Sequence, residues 1–295
     1  MRRCAMANGI LIIDKPAGWT SMDVCAKLRG IFHEKRVGHS GTLDPMATGV
    51  LPVFIGRATR AVEFADKSDK EYIAGLQLGV VTNTQDTSGE VLEERPVEVT
   101  ETRLAEALER FRGDILQVPP MYSAIKINGK KLCELARKGR EVERPARPVT
   151  IKALELLGQR EENLYTIRVH CSKGTYVRTL CHDIGQALGC GGCMASLRRT
   201  MAAGFPLHSA VTLEQVQAAE DPASLLLPVD SLFQDREKLV LSPAAEKKVR
   251  NGMTALLHGL APGEYRVYSG GGEFLALCLA KGGKLTTIKS FFEVN

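Results

Sequence analysis

Residues 37–51 read VGHSGTLDPMATGVL, the densest cluster of glycines and short polar residues around one carboxylate in the chain. Three glycines, Gly38, Gly41 and Gly49, flank a single carboxylate, Asp44, with Pro45 directly behind it. Glycine enters backbone conformations closed to other residues, and a proline keeps the residue before it out of the helical region. Asp44 is therefore expected in a tight loop whose backbone can approach a ligand closely. A lone Asp-Pro is most often only a turn starter. Here His39, Ser40 and Thr42 add short polar groups around the carboxylate, and the apolar run 50–55 that follows reads as a strand.

Upstream, residues 9–14 (GILIID) form a β-branched run ending at Lys15-Pro16-Ala17-Gly18, which predicts a buried strand and then a turn. Thr20 and Ser21 offer helix caps, and Val24, Leu28, Ile31 and Phe32 recur at helical spacing. Downstream, residues 72–78 and 164–171 alternate. In the second stretch Tyr165, Ile167, Val169 and Cys171 share one face, and Arg168 and His170 the other. Leu104, Leu108 and Phe111 mark a helix stopped by Gly113. Val177, Leu180, Cys181, Ile184 and Leu188 mark another closed by Gly189, and Thr212 with Gln215 makes a capping box for a third. Strands and helices alternate without the steady rhythm of a doubly wound sheet, so the fold class is α+β.

Two breaks divide the chain. Residues 119–148 are basic and bracketed by prolines, with a helix expected around 131–138, and read as an inserted arm. A second break falls at 234–242, after which Ser242-Pro243 starts a short helix and residues 264–279 form a hairpin around Gly270-Gly271-Gly272. Residues 240–295 are thus expected to be a small β-rich module.

At 295 residues the chain is about two domain-lengths, and 44% apolar with 25% charged residues excludes wholesale disorder. No apolar run approaches the ~20 residues of a membrane span, and Asp14, Lys15 and Pro16 interrupt any secretory core, so a cytoplasmic protein is expected. The net charge of +5 conceals segregation. Residues 1–60, 126–148 and 168–199 together carry a net +14, whereas residues 61–110 carry −7. Clustered Lys and Arg supply affinity for phosphate backbones, which points to a polyanion-facing surface, although solvated faces that never meet would give the same count. Of the eight cysteines only Cys190 and Cys193 form a CxxC pair. With no second pair at matching spacing they read as small residues in a glycine-rich loop rather than a zinc site. There is no GxxxxGK[ST], GxGxxG or HExxH, and no second carboxylate lies beside Asp44, which removes support for nucleotide hydrolysis, dinucleotide binding and a local glycosidase pair.

Six blocks carry a family resemblance: GILIIDKPAGWTS (9–21), GHSGTLDPMATGVLP (38–52), DKEY (69–72), PPMYSAIKINGKKLCELARKG (119–139), GTYVRTL (174–180) and LRRT (197–200). In order and spacing the chain resembles the bacterial TruB family of tRNA pseudouridine-55 synthases over about residues 8–240. The resemblance implies a mixed, mainly antiparallel sheet flanked by helices in a catalytic domain at 1–238, a thumb that grips RNA at 120–148, and a PUA-like module at 239–295. It implies isomerisation of a flipped-out T-arm uridine, with neither metal nor cofactor.

The site residues follow from the matched blocks. Asp44 is the implied nucleophile, Arg178 its ion-pair partner that keeps it ionised and oriented, and Tyr72 the ring that stacks on uracil with its hydroxyl near C5. His39 is implied to fill the space left in the RNA stack, Tyr176 and Leu197 to line the uracil pocket, and Lys15 to lie beside it. Without the resemblance, Arg178 reads as an exposed residue at a helix start and Tyr72 as a packed strand residue. Lys126, Lys130, Lys131, Arg137, Lys138, Arg140, Arg144 and Arg147 supply the basic thumb, expected to be mobile until RNA binds. Two other functions fit the same surface: a non-catalytic tRNA-folding chaperone, and a guide-RNA-dependent relative of the dyskerin type. No heptad or long apolar stripe is visible, so a monomer without an obligate protein partner is expected. The family's usual start falls at about residue 8, which makes Met6 an alternative initiator to Met1.

Overall fold

A computed structural model describes residues 7–123, 125–127 and 129–292, the Lys131 side chain excepted. Met1, Cys4 and Met6 lie outside the described residues. In chain order, β1 (Gly9–Lys15) leads to α1 (Ser21–Phe32), whose cap is Thr20 in a reciprocal box with Asp23. There follow β2 (Val37–His39), β3 (Thr48–Ile55), the single-turn α2 (Val62–Ala65), β4 (Lys70–Leu78), β5 (Val80–Thr82), β6 (Val91–Glu94), α3 (Glu101–Glu109) and β7 (Gly113–Gln117). The arm contains the two-residue strands β8 (Lys126–Ile127) and β9 (Lys130–Lys131) and α4 (Leu132–Ala136). This helix is shorter than the expected 131–138: the β8–β9 pairing takes up Lys131 at its start, and beyond Ala136 the Lys138 and Gly139 N–H groups donate to carbonyls three residues back, Leu135 and Ala136, instead of four. Next come β10 (Arg147–Glu161), β11 (Leu164–Cys171), α5 (Val177–Leu188), β12 (Gly192–Ala202), β13 (Phe205–Pro206) and α6 (Leu213–Ala218). The chain closes with β14 (Glu237–Val240), α7 (Pro243–Arg250), β15 (Ala255–Leu256), β16 (Gly263–Tyr268), β17 (Phe274–Lys281) and β18 (Lys284–Ser290).

The α+β expectation holds. The main sheet runs β1-β3-β12-β4-β11-β10-β7, with β2 on β3 and β13 on β12; every pairing is antiparallel except β12 with β3. β1 is apolar without alternation because both faces are covered: Ile10 and Ile12 enter one core, Leu11 and Ile13 the other. α1 and α6 cover the second of these. Helices α3 and α5 lie against β4, β10 and β11, burying Leu104, Leu108, Leu180, Ile184 and Leu188 on Tyr72, Leu76, Ile167 and Val169. α5 ends, as its sequence predicts, at Gly189 in the left-handed conformation. Cys190 and Cys193 are buried where α5 turns back into β12. A Cβ on Gly185 would stand 2.2 Å from the Gly192 nitrogen, so small residues there serve a close helix–strand crossing. Among the described residues no helix is long and apolar enough to cross a membrane.

The C-terminal sheet, in the order β14-β16-β17-β18-β15, begins at Glu237, two residues ahead of the expected boundary at 239. It shares a core with the main sheet: Leu277 and Phe291 pack with Ile10, Phe54 and Phe233, and the Phe274 and Phe291 rings stack 5.3 Å apart beside Phe233.

The parallel β3–β12 contact depends on Gly49. Its φ is +98°, and a Cβ there would lie 2.2 Å from the Arg199 carbonyl oxygen. Gly49→Ala is expected to lower stability by at least about 2 kcal/mol, measured as a shifted denaturant midpoint with an unchanged slope. A loss below about 0.5 kcal/mol would contradict so close an approach.

Candidate active site

Two of the quoted sequence blocks interlock to hold Asp44. Asp44-Pro45-Met46-Ala47 is a β-turn closed by the Ala47 N–H donating to the Asp44 carbonyl at 3.0 Å. The Gly18 N–H donates to the Pro45 carbonyl at 2.8 Å. Buried Ser21 brackets the residue before Asp44: its hydroxyl accepts from the Leu43 N–H at 3.0 Å and donates to the Leu43 carbonyl at 3.2 Å. Lys15, fully buried, donates to the carbonyls of Pro16, Trp19 and Pro45 at 2.9, 2.6 and 3.3 Å. On the other flank the Gly41 N–H donates to Asp66 Oδ1 at 2.9 Å. Leu43 and Ala47 anchor the loop in the same apolar core as Tyr72, Val177 and Leu197.

Arg178, the second residue of α5, reaches this loop from below. Its Nε lies 3.1 Å from Asp44 Oδ2, its Nη1 is 3.4 Å from Asp86 Oδ2 and donates to the Thr84 carbonyl at 3.3 Å, and its Nη2 donates to the Tyr122 carbonyl at 2.9 Å. The Arg178 side chain is 8% exposed and that of Asp86 5%, whereas Asp44 keeps 39% of its side chain open. The carboxylate that can meet a ligand is thus the one held by a buried cation. Asp86 is itself fixed: its Oδ1 accepts from the Thr84 hydroxyl at 2.8 Å and from the Ser88 N–H at 3.0 Å, and its loop is strapped to β12 through Met194. Tyr176 caps α5, and Gln117 at the end of β7 holds it with both halves of its amide, accepting from the Tyr176 N–H at 2.8 Å and donating to its carbonyl at 3.1 Å.

Burial raises the Asp44 carboxyl above the ordinary carboxylate value; Arg178 pulls it down, Asp86 pushes it up and Lys15 pulls it down again. The ion pair expected to keep Asp44 ionised therefore offsets only part of what burial costs. Burial likewise raises the Tyr72 phenol, against the neighbouring Arg199 guanidinium, and lowers Lys15. Burial also lowers His39, whose Nδ1 has no partner; its charged neighbours are Asp66 and Arg199.

Asp44, Arg178, Lys15, Tyr72 and Tyr176 are thus gathered on one side of the sheet with Leu197, which pairs with Ala74 across β12 and β4. His39 lies beyond Gly41 on β2. Tyr72 is only 7% exposed, buried enough to satisfy the packed-strand expectation as well. Three residues of the site carried no signal strong enough to single out: Asp86, in the polar turn NTQDTSG; Gln117, at a strand end; and Arg199, in LRRT. Among the described residues no group of three or more His, Cys, Asp or Glu side chains is placed to hold a metal ion.

Comparison with known proteins identifies the family of the chain. Residues 29–177 match the family model for the TruB family pseudouridylate synthase N-terminal domain, and residues 178–234 that for the tRNA pseudouridylate synthase B C-terminal domain. A relative from Alkaliphilus oremlandii named tRNA pseudouridine synthase B is 49% identical over 245 residues, 83% of this chain and 82% of its own. One of the same name from Clostridium kluyveri is 39% identical over 289 residues, 96% of this chain and 99% of its own. Among solved structures, Cbf5 in a Cbf5-Nop10-Gar1 complex superposes with a TM-score of 0.73 at 26% identity, covering 97% of this chain and 86% of that one. By both family models and by relatives of nearly its own length, the chain belongs to the TruB family of pseudouridylate synthases.

Proposed function

We propose that this protein isomerises uridine to pseudouridine in tRNA, at position 55 of the T-arm, with Asp44 as nucleophile and with no metal or cofactor. One observation carries this: in a chain of this family, a solvent-accessible carboxylate, alone in its loop, stands 3.1 Å from a buried guanidinium. The reaction breaks the N1–C1′ bond, turns the uracil and joins C5 to C1′. C5 loses a proton and N1 gains one. Attack at C1′, attack at the base and electrostatic support of a cationic C1′ all require ionised Asp44, and the Arg178 pair favours that form by pulling the carboxyl down.

The uridine must leave its stack, at a cost of a few kcal/mol, to reach the pocket. Tyr72 stacks on the extruded base and its oxygen serves at C5, Tyr176 and Leu197 line the pocket, and His39 fills the gap left in the RNA. Lys15 takes a different role from contact with uridine. Its three protons are spent on backbone carbonyls, which makes it a positioning residue beneath the Asp44 turn. The thumb at 120–148 grips the T-arm, and its base touches the chemistry directly, since the Tyr122 carbonyl accepts from Arg178. A catalytic domain at 1–238 and a PUA-like module at 239–295 that meets the acceptor end complete an enzyme working as a cytoplasmic monomer on bare tRNA.

Four outcomes test this. Nucleotide-resolution mapping of tRNA incubated with the purified protein is expected to show pseudouridine at position 55. Asp44→Asn should lose more than about a thousandfold in rate while its tRNA affinity stays within about threefold; retained turnover would remove Asp44 from the mechanism. Because Arg178 lowers the Asp44 pKa, Arg178→Gln should move the acid limb of the single-turnover rate to higher pH, and a downward shift would contradict the assigned pair. Hydrogen exchange in residues 126–147 is expected to slow on binding tRNA, and equal exchange in both states would refute a thumb that orders on RNA.

A further inference from the structure

Four cations are buried around the Asp44 loop, and only three are accounted for: Arg178 is paired with Asp44 and Asp86. Lys15 donates to three carbonyls, and Lys70 donates to those of Asp66 and Ser68 at 3.0 and 2.7 Å. Arg199 is fully buried, pairs with no carboxylate among the described residues, and donates from Nε to the Val50 carbonyl at 2.6 Å while its Nη2 has no partner. A buried guanidinium without a counter-ion is expensive, and an apolar side chain of similar volume would fill the space at less cost. An unsatisfied buried donor therefore calls for a specific explanation.

Its surroundings supply one. Arg199 stands directly opposite Tyr72 across β12 and β4, and directly opposite Gly49 across β12 and β3. Directly opposed residues on neighbouring strands point their side chains to the same face, so the guanidinium and the Tyr72 ring are neighbours. The loop carrying Asp44 closes on Arg199 from both ends. A Cβ on Gly41 would stand 3.0 Å from Nη1, and one on Gly49 would strike the Arg199 backbone. Two of the loop's glycines are thus explained by a single arginine. The charged or titratable groups that bear on the Tyr72 hydroxyl are Arg199 from β12, Cys171 from β11 and Asp44 from the loop, and Arg199 is the cation among them.

We propose that Arg199 is a positioning residue for the reaction: the Asp44 loop is wrapped around it, it sets Tyr72 against that loop, and it places a fixed positive charge beside the Tyr72 oxygen. This rests on the function proposed above. Tyr72 first releases its phenolic proton to solvent, and the phenolate then takes the proton from C5 once C5 is joined to C1′. The C5–H electron pair restores the C5–C6 double bond, and the π pair of the N1–C6 bond returns to N1, which is protonated by water. Arg199 touches none of the reacting atoms; it stabilises the phenolate and holds it in place.

The test compares Arg199→Gln and Arg199→Lys in the full chain, each checked for folding by thermal unfolding, with two readouts. The first is the single-turnover rate against pH; the second is an NMR titration of Tyr72 in protein carrying isotope-labelled tyrosine, assigned by its absence in Tyr72→Phe. Arg199→Gln should slow turnover by roughly 30-fold or more with tRNA affinity within about threefold. It should also move the Tyr72 titration and the alkaline rise of the rate, which is separate from the acid limb set by Asp44, together to higher pH, and Arg199→Lys should recover part of both. A folded Arg199→Gln with a rate within about threefold of the parent, or with an unmoved Tyr72 titration, would overturn the proposal. If Arg199→Gln does not fold, Arg199→Lys decides: its titration and rate limb must move up, and an unchanged pair refutes the role. The titration needs no turnover, so a parent protein that makes no pseudouridine fails the functional assignment, whereas an unmoved Tyr72 fails this one alone.

Discussion

The guanidinium of Arg178 is the contact on which the site depends, because it is shared by three segments far apart in the chain. The loop at 37–51 offers Asp44, the turn at 83–88 offers Asp86 and the Thr84 carbonyl, and the segment after β7 offers the Tyr122 carbonyl. Two carboxylates around one guanidinium leave an excess negative charge, and Lys15 beneath the loop offsets it. Such a cluster adds little to net stability, since the desolvation of buried ions consumes most of their attraction. What it contributes is alignment. A guanidinium presents its donors in a rigid plane, so the direction of Asp44 follows from where Asp86 and α5 sit.

That alignment would fail if the Asp44 loop could slide. It is prevented on one side by Lys15, Gly18 and Ser21, which hold the Leu43–Pro45 backbone to the turn after β1, and on the other by Arg199, which fills the space inside the loop. Both supports are buried cations bonded to carbonyl oxygens. Each is costly to bury, and each leaves the charge near Asp44 and Tyr72 more positive than a purely apolar core would.

Much of the fold was legible because its signals are local. The strand at β1, the capping box before α1, the end of α5 at Gly189 and the C-terminal hairpin are each decided by residues within a few positions of one another. The helix expected at 131–138 is shorter in the structure, because the periodicity of those residues says nothing of the β8–β9 pairing that takes up Lys131 or of the tightened turn after Ala136. Asp86 escaped notice for a related reason: within NTQDTSG it looks like an ordinary turn residue, and its partner Arg178 is 92 positions away. Arg199 was hidden by its type, since arginine is almost always exposed unless paired, and nothing in LRRT announces a buried one.

From the sequence alone came the α+β class, the basic stretch at 119–148, and a family resemblance strong enough to point to Asp44 and imply its partners. Those are properties of residue type and spacing, and both are written along the chain. The tertiary structure alone decided that Asp44 stays accessible while Arg178 and Asp86 are buried, that Lys15 spends its protons on backbone, and that the C-terminal sheet shares a core with the main one. The reason is physical: desolvation, ion pairing and close packing depend on distance in space, and the β3–β12 and β4–β12 pairings bring together groups that no local pattern relates.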